Sequence, residues 1–400
     1  MPFLSRQVHA TRLDAMRELM DREQLTALWL SAPDWCFYAS NFEIDVLVWE
    51  RPVLVVVPRE GEPFAVLHEL SRNHVGFARE RGTLWVDDVL FYSELPDKED
   101  VPAASELPAL VTRALEERGL AGGRVGVDTA NELVAELRGR LPQLEQVPVG
   151  RELRPLRYVL TGEELQLARL AAGLTDWAQE RYREEIRVGR LVDELDWRLG
   201  ARIVEEAANR FPGESVHVRL LALSGPESAA PHGSGASVGS RIAAGDVLVN
   251  IIVLRLNGVT VENERTWLVG SRTREQEQAF LAATAAQEAA IAAAVEGRPV
   301  KGMHDAAVAT FRAAGFGEFV CHRAGHGMGI GHGGMTAHDF PHDTAVETRP
   351  LRAGELYSVE PGIYLPGVGG FRHDDSVVVG AEPEVLTTTP RDLETQTLPG

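Results

Sequence analysis

Two periodicities alternate along the chain. In RLDAMRELMDREQL apolar residues recur every three to four positions, the spacing of a helix with one buried face. ALWLSA, RPVLVVVP, FAVLHE and GRVGVDT are instead short apolar runs bounded by Pro, Gly and charged residues, and they read as strands. Their interleaving over the first ~155 residues predicts an α/β domain. The character changes near RELRPLRYVLTGEELQLARLAAG: Thr161 is a good N-cap and Glu164, three residues on, completes a capping box, so a long amphipathic helix starts there. The boundary is placed between 150 and 160, giving domains 1–155 and 156–400.

Beyond it, helices are predicted near 162–187, 191–208, 274–296 and 302–314, and strands near 217–223, 247–256, 259–268, 357–360 and 371–379. This is an α+β domain with antiparallel hairpins. AFLAATAAQEAAIAAAVEG is an Ala-rich helix, and no repeat of 20 to 50 residues is visible.

One hairpin is unusual. The apolar strand ending at Asn257-Gly258 returns as VTVENERTWLVG, with Glu262 and Glu264 on the same side two positions apart. A two-residue turn at Asn257-Gly258 pairs Leu256 with Val259, Val253 with Glu262 and Ile251 with Glu264, and turns Asn250 to the other face unless a bulge intervenes. Repulsion and desolvation oppose burying two such carboxylates without a positive partner.

Composition narrows the classes. A hydrophobic content of 44% over 400 residues supports large cores, and the net charge of -19 with a pI near 5.1 argues against nucleic acid as partner. There is no run of ~18 apolar residues to span a membrane, and the N-terminus reads as a charged amphipathic helix rather than a signal sequence, so a cytoplasmic location is expected. Cys36 and Cys321 make no disulfide framework; Cys321, beside His322 and near His326, reads as a buried inert thiol.

Candidate metal ligands cluster at the ends of apolar strands: His232 in SAAPHGSG, Glu262 and Glu264 in VENERT, His326 and His332 in RAGHGMGIGHGG, Glu360 in SVEPGIY, and His373, Asp374 and Asp375 in GGFRHDDSV. Each alone is an ordinary strand-end side chain. Together they form the oxygen-rich, nitrogen-poor shell that suits Mn²⁺, Co²⁺, Fe²⁺ or Zn²⁺. GHGMGIGHGG lacks the Lys and Ser/Thr of a phosphate loop.

The order PHG, a GD…NG…ERT…VG hairpin, GHGMG, VEPGIY and GGFRHDD resembles the creatinase, prolidase and aminopeptidase P family, and RPVLVVVP and LTGEELQLARLAA resemble its N-terminal domain and interdomain helix. The resemblance implies an α/β N-terminal domain followed by an α+β pita-bread catalytic domain. It implies a centre of one or two divalent metals (Mn, Co or Zn) that activates water, held by Glu262, His326, Glu360 and Asp374. The family's first Asp does not carry over: Asn250 stands near its place, and Glu264 is the alternative donor unless it is only the ion-pair partner of Arg265, Arg255 or Arg372. His232 matches the family's substrate-facing His, Arg372 its Arg beside the last ligand, and His338 its second His, with His332 as competitor. Glu360 is expected to take the proton of the attacking water.

The leading expectation is metal-dependent hydrolysis of Xaa-Pro bonds in dipeptides or short peptides, by a homodimer as the resemblance implies. Two alternatives stay open. One is metal-free C–N hydrolysis of creatinase type with His232 as acid/base; the other is a pita-bread binding protein without catalysis.

Overall fold

The protein is described by a computed structural model over residues 4–95, 100–231, 237–331 and 345–400, and by the backbone alone at 338–339. It divides into two compact units, Met1–Arg157 with Ile330–Thr336, and Tyr158–Gly329 with Ala337–Gly400.

The first unit is built on a mixed sheet of β1 (Ala27–Leu30), β2 (Leu54–Pro58), β3 (Phe64–His68), β4 (Asp88–Tyr92), β5 (Gly123–Val127) and β6 (Leu144–Pro148), in the order β4-β3-β2-β1-β5-β6. Trp29, Val56, Phe64 and Val66 from the sheet pack with Val111 and Leu115 of helix Leu107–Glu117 and Leu137 of helix Glu132–Arg140. The sequence pattern does not single out β4 and β6, the two edge strands: LEQVP mixes polar and apolar residues, and DVLFY, apolar from Val89 to Tyr92, is only partly buried.

The second unit carries β7 (Val216–Ser224), β8 (Val247–Leu256), β9 (Val259–Val269), β10 (Gly325–Met328), β11 (His338–Asp339), β12 (Leu356–Val359), β13 (Gly362–Leu365), β14 (Gly369–Arg372), β15 (Asp374–Val378), β16 (Glu384–Val385) and β17 (Thr397–Leu398). Its main sheet runs β11-β10-β12-β15-β9-β8-β7, antiparallel along that path, and β13 and β14 form a separate hairpin. Asn257 and Gly258 both have positive φ, 48° and 87°, as a tight hairpin turn requires. The ladder then pairs Leu256 with Val259, Val253 with Glu262 and Ile251 with Glu264, the register read from the sequence.

Helix Gly162–Glu185 starts at Thr161, whose hydroxyl accepts from the Glu164 N–H (3.3 Å) while Glu164 accepts from the Thr161 N–H (2.6 Å). It covers one face of the sheet, where Gln179 donates to the Asn263 carbonyl (3.1 Å) and accepts from Asn250 (3.0 Å). Glu262 and Glu264 point to the opposite face. The stretch read as one strand over 371–379 is two, because β14 pairs with β13 whereas β15 pairs with β12 and β9, and the chain changes sheets at His373.

Candidate metal centre

Register assembles the site. His326 on β10 faces Ser358 on β12, and Ser358 faces Ser376 on β15. The Ser376 hydroxyl donates to the Glu262 carbonyl (2.9 Å) and accepts from its N–H (2.9 Å), which locks β15 against β9. One row therefore runs His326, Ser358, Ser376, Glu262, and the two serines leave open the space above them. His326 and Glu262 lean across that gap until Nε2 and Oε2 are 3.6 Å apart. In the neighbouring row Asp374 faces Glu264, and Glu264 faces Ile251.

Five buried charged groups then alternate in sign. His326 Nε2 lies 3.6 Å from Glu262 and 3.6 Å from Glu360 Oε1. Arg372 Nη1 lies 3.5 Å from Glu360 Oε2, and the same guanidinium meets Glu264, donating from Nη2 to Oε1 at 3.1 Å with Nε 2.5 Å from Oε2. Asp374 sits beneath, accepting from the Ser358 hydroxyl (3.0 Å) and the Val359 N–H (3.0 Å). Carboxylate oxygens of Glu262, Glu264 and Asp374 converge within 4.8 Å of one another.

Arg265 stiffens this arrangement from the helix-covered face. Its guanidinium donates to the carbonyls of Glu264 (2.7 Å) and Asp374 (2.8 Å) and to the Asp375 carboxylate (2.8 Å), tying together the backbones that carry two of the convergent acids.

The cluster is short of positive charge. Four buried carboxylates face one guanidinium and one imidazole. Burial, and then Glu360 and Glu262, push the Glu264 carboxyl up to about 8 against the pull of Arg372. Asp374 is pushed well above the usual carboxylate range by burial and by Glu264, Glu262 and Glu360. Burial opposes the charge on His326, yet Glu262 and Glu360 raise it above the ordinary imidazole value. A divalent cation supplies the charge that protons otherwise bring, and donors on one ion at ~2.0–2.2 Å stand roughly 3–3.5 Å apart, close to the His326–Glu262 and His326–Glu360 separations. The residues fit a metal.

Asn250 does not join them. Its Oδ1 accepts from the Trp267 indole (2.6 Å) and its Nδ2 donates to Gln179 (3.0 Å), on the helix-covered face, so no bulge turns it toward the carboxylates and it is corrected from ligand to core residue. Among the three arginines weighed for Glu264, Arg372 meets its carboxylate and Arg265 its backbone carbonyl. Cys321 is exposed rather than buried, because it lies on the connection that precedes β10. His232 and His332 lie outside the described residues, and His338 is placed only by its backbone, opposite Met328 at the sheet edge.

Sequence reasoning missed two features. His322 Nε2 lies 2.7 Å from the Tyr364 hydroxyl while its Nδ1 lies 2.6 Å from the Arg323 carbonyl; with Nδ1 protonated, Tyr364 donates to Nε2. The Tyr364 hydroxyl lies over Gly362, where any Cβ would meet it. His322, four residues before His326, was a signal that went unused. Ser358 and Ser376 carry no chemistry of their own, and only the pairing of distant strands shows that they sit between the ligands.

A buried imidazole and acid set on an antiparallel sheet, in a unit that follows an α/β domain along the chain, is the two-domain pita-bread architecture of metal-dependent peptidases. The chain belongs to metallopeptidase family M24: the family's pattern matches residues 166–381, and that of the creatinase/prolidase N-terminal domain matches residues 12–159. An Xaa-Pro dipeptidase of Pyrococcus furiosus is 30% identical over 244 residues, 60% of this chain and 66% of the relative. The crystal structure of dipeptidase PepE from Mycobacterium ulcerans superposes with a TM-score of 0.80 at 28% identity, covering 99% of this chain and 100% of that one. The prolidase of Pyrococcus horikoshii OT3, at 22% identity and a TM-score of 0.77 over 96% of this chain and 99% of its own, shares the fold. Among the described residues no helix is long and apolar enough to cross a membrane.

Proposed function

We propose that the protein is an Xaa-Pro dipeptidase whose divalent metal is held by Glu262, His326, Glu360 and Asp374, with Glu264 as an additional donor. The observation that carries this reading is the convergence of His326 with Glu262 and Glu360, at 3.6 Å each, in a buried and acid-rich site. The metal, when bound, supplies Lewis-acid activation of water and of the peptide carbonyl.

The chain's own groups do the rest. Glu360 takes the proton of the attacking water and passes it to the leaving nitrogen. Arg372, between Glu360 and Glu264, holds both carboxylates in place. Ser358 and the Val359 N–H orient Asp374, whose side chain is one methylene shorter than glutamate and so depends on being aimed. His232 and His338 are assigned to the carbonyl oxygen and the charge that develops on it. The substrate class follows the P. furiosus relative, an Xaa-Pro dipeptidase by name.

The test is hydrolysis by the purified, Mn²⁺-loaded protein of Leu-Pro against Leu-Ala and Leu-Pro-Gly. Preferential cleavage of Leu-Pro is expected. Failure to cleave any Xaa-Pro peptide at full metal occupancy overturns the reading.

A further inference from the structure

Glu360 divides its carboxylate between two positive groups. Its Oε1 lies 3.6 Å from His326 Nε2, at the end of the cluster where the metal donors meet, and its Oε2 lies 3.5 Å from Arg372 Nη1. The guanidinium turns its other edge to Glu264, with Nε 2.5 Å from Oε2 and Nη2 3.1 Å from Oε1. A carboxylate that offers one oxygen to each of two cations is arranged as a bridging ligand, and the second cation here is a side chain of the protein. Glu262, Glu264 and Asp374 present oxygens that converge within 4.8 Å, so the guanidinium is seated on one of the donors a second ion would need.

Arg372 is fixed in that place. Its backbone N–H donates to the Thr266 hydroxyl (2.9 Å), which donates in turn to the Arg372 carbonyl (2.7 Å), so the end of β14 is held against β9 two residues beyond Glu264. Arg372, Glu262, Glu264, Glu360 and Asp374 are all buried, so their charges must balance within the protein. One divalent ion and the guanidinium bring three positive charges to the four carboxylates, and a single proton makes up the difference. Two ions and the guanidinium bring five, an excess that no group of the cluster can cancel among the described residues. Two ions without the guanidinium bring four, which balances. Glu264 therefore serves either Arg372 or a second ion.

We propose that the Arg372 guanidinium takes the place of a second divalent ion, so that the centre holds one tightly bound ion at the His326 end and Arg372 excludes another from Glu264. This rests on the metal centre of the peptidase reading above, and the test separates the two. The chelator-stripped full chain is titrated with Mn²⁺ by calorimetry. The loaded protein, with Mn²⁺ in modest excess, is examined by electron paramagnetic resonance, in which two ions sharing a carboxylate give the signal of a spin-coupled pair. Wild type is expected to bind one ion tightly and to show no coupled pair. Arg372→Leu should bind a second ion about 10- to 100-fold more tightly than the wild type does, and show the pair. Arg372→Gln, which also lacks the charge, should follow it, so a leucine variant that does not fold leaves a second one to decide. Arg372→Lys, which keeps the charge, should behave as the wild type. Arg372→Leu combined with Glu264→Gln should lose the gained ion, which places that ion in the cluster rather than on the acidic surface. A second ion bound no more tightly once the charge is removed, or bound as tightly in Arg372→Lys, overturns the proposal while the one-ion centre stands; a coupled pair in the wild type does the same. If the wild type binds no ion, the metal centre and this proposal fall together.

Discussion

Glu264 and Ile251 stand directly opposite each other in the β8–β9 ladder, so the β8 position that faces the carboxylate cluster is aliphatic and the acid comes from the partner strand. Cross-strand neighbours on one face lie ~5 Å apart, so an acid at either position reaches the same space. Asn250, the polar residue next to Ile251, is spent on Trp267 and Gln179.

The first prediction follows from that division. Glu264→Gln should lower the amount of metal bound beyond the first equivalent, whereas Asn250→Ala should leave metal content unchanged and cost about 1–3 kcal/mol of stability by stranding the Trp267 and Gln179 groups. Elemental analysis and thermal melts of both variants check this; loss of metal in Asn250→Ala would return that residue to the site.

His326→Ala removes the imidazole that lies between Glu262 and Glu360. Metal content after dialysis against Mn²⁺ should fall to background. Retention of one ion per chain sinks the ligand assignment.

The pH dependence has a definite sign in the metal-free protein. Glu264 titrates at about 8 when folded against 4.5 ordinarily, so its contribution to stability is complete below ~4.5 and is lost as pH rises through ~8, on the order of a few kcal/mol for a fully buried group. The melting temperature of chelated wild type should therefore drop relative to that of Glu264→Gln between about pH 5 and 8.5. A difference that stays constant across that window falsifies the burial argument. Metal uptake opposes the trend, because the ion displaces the proton.

Ser358 offers a test that replaces no proposed ligand. Ser358→Leu fills the space over which His326 and Glu262 meet and removes the hydroxyl that aims Asp374, so Mn²⁺ affinity should fall about 10- to 100-fold with all ligands present. Wild-type affinity in this variant would show that the gap is not needed.

Gly325 has φ +155°, and a Cβ there would collide with the Ser358 carbonyl. Gly325→Ala should destabilise the unit by roughly 2–4 kcal/mol and shift His326 off its partners. Chemical denaturation and metal content measure the two effects separately.

What could be read in advance was local. The Asn257-Gly258 turn sets a ladder in which one dipeptide determines the face of every residue for ten positions, and the capping box at Thr161 and Glu164 likewise acts within one helical turn. Family resemblance supplied the ligand order. The pairs His326–Ser358 and Ser376–Glu262 were not legible, because each joins strands far apart in sequence and no periodicity encodes which distant strand becomes a neighbour. Asn250 stood among the candidate ligands through resemblance by position, although the hairpin register already turned it to the other face, and the structure follows the register.

The row of paired residues from His326 to Glu262 crosses strands drawn from positions 259 to 378, so no short segment of the chain holds more than a fragment of the proposed metal shell. The ion consequently has no affinity worth counting for the unfolded chain and acts as a ligand of the folded state alone. Its free concentration then sets the population of folded molecules by mass action, about 2.7 kcal/mol at a hundred times the dissociation constant. Under the proposed ligand assignment, metal supply would set the folded fraction as well as the activity.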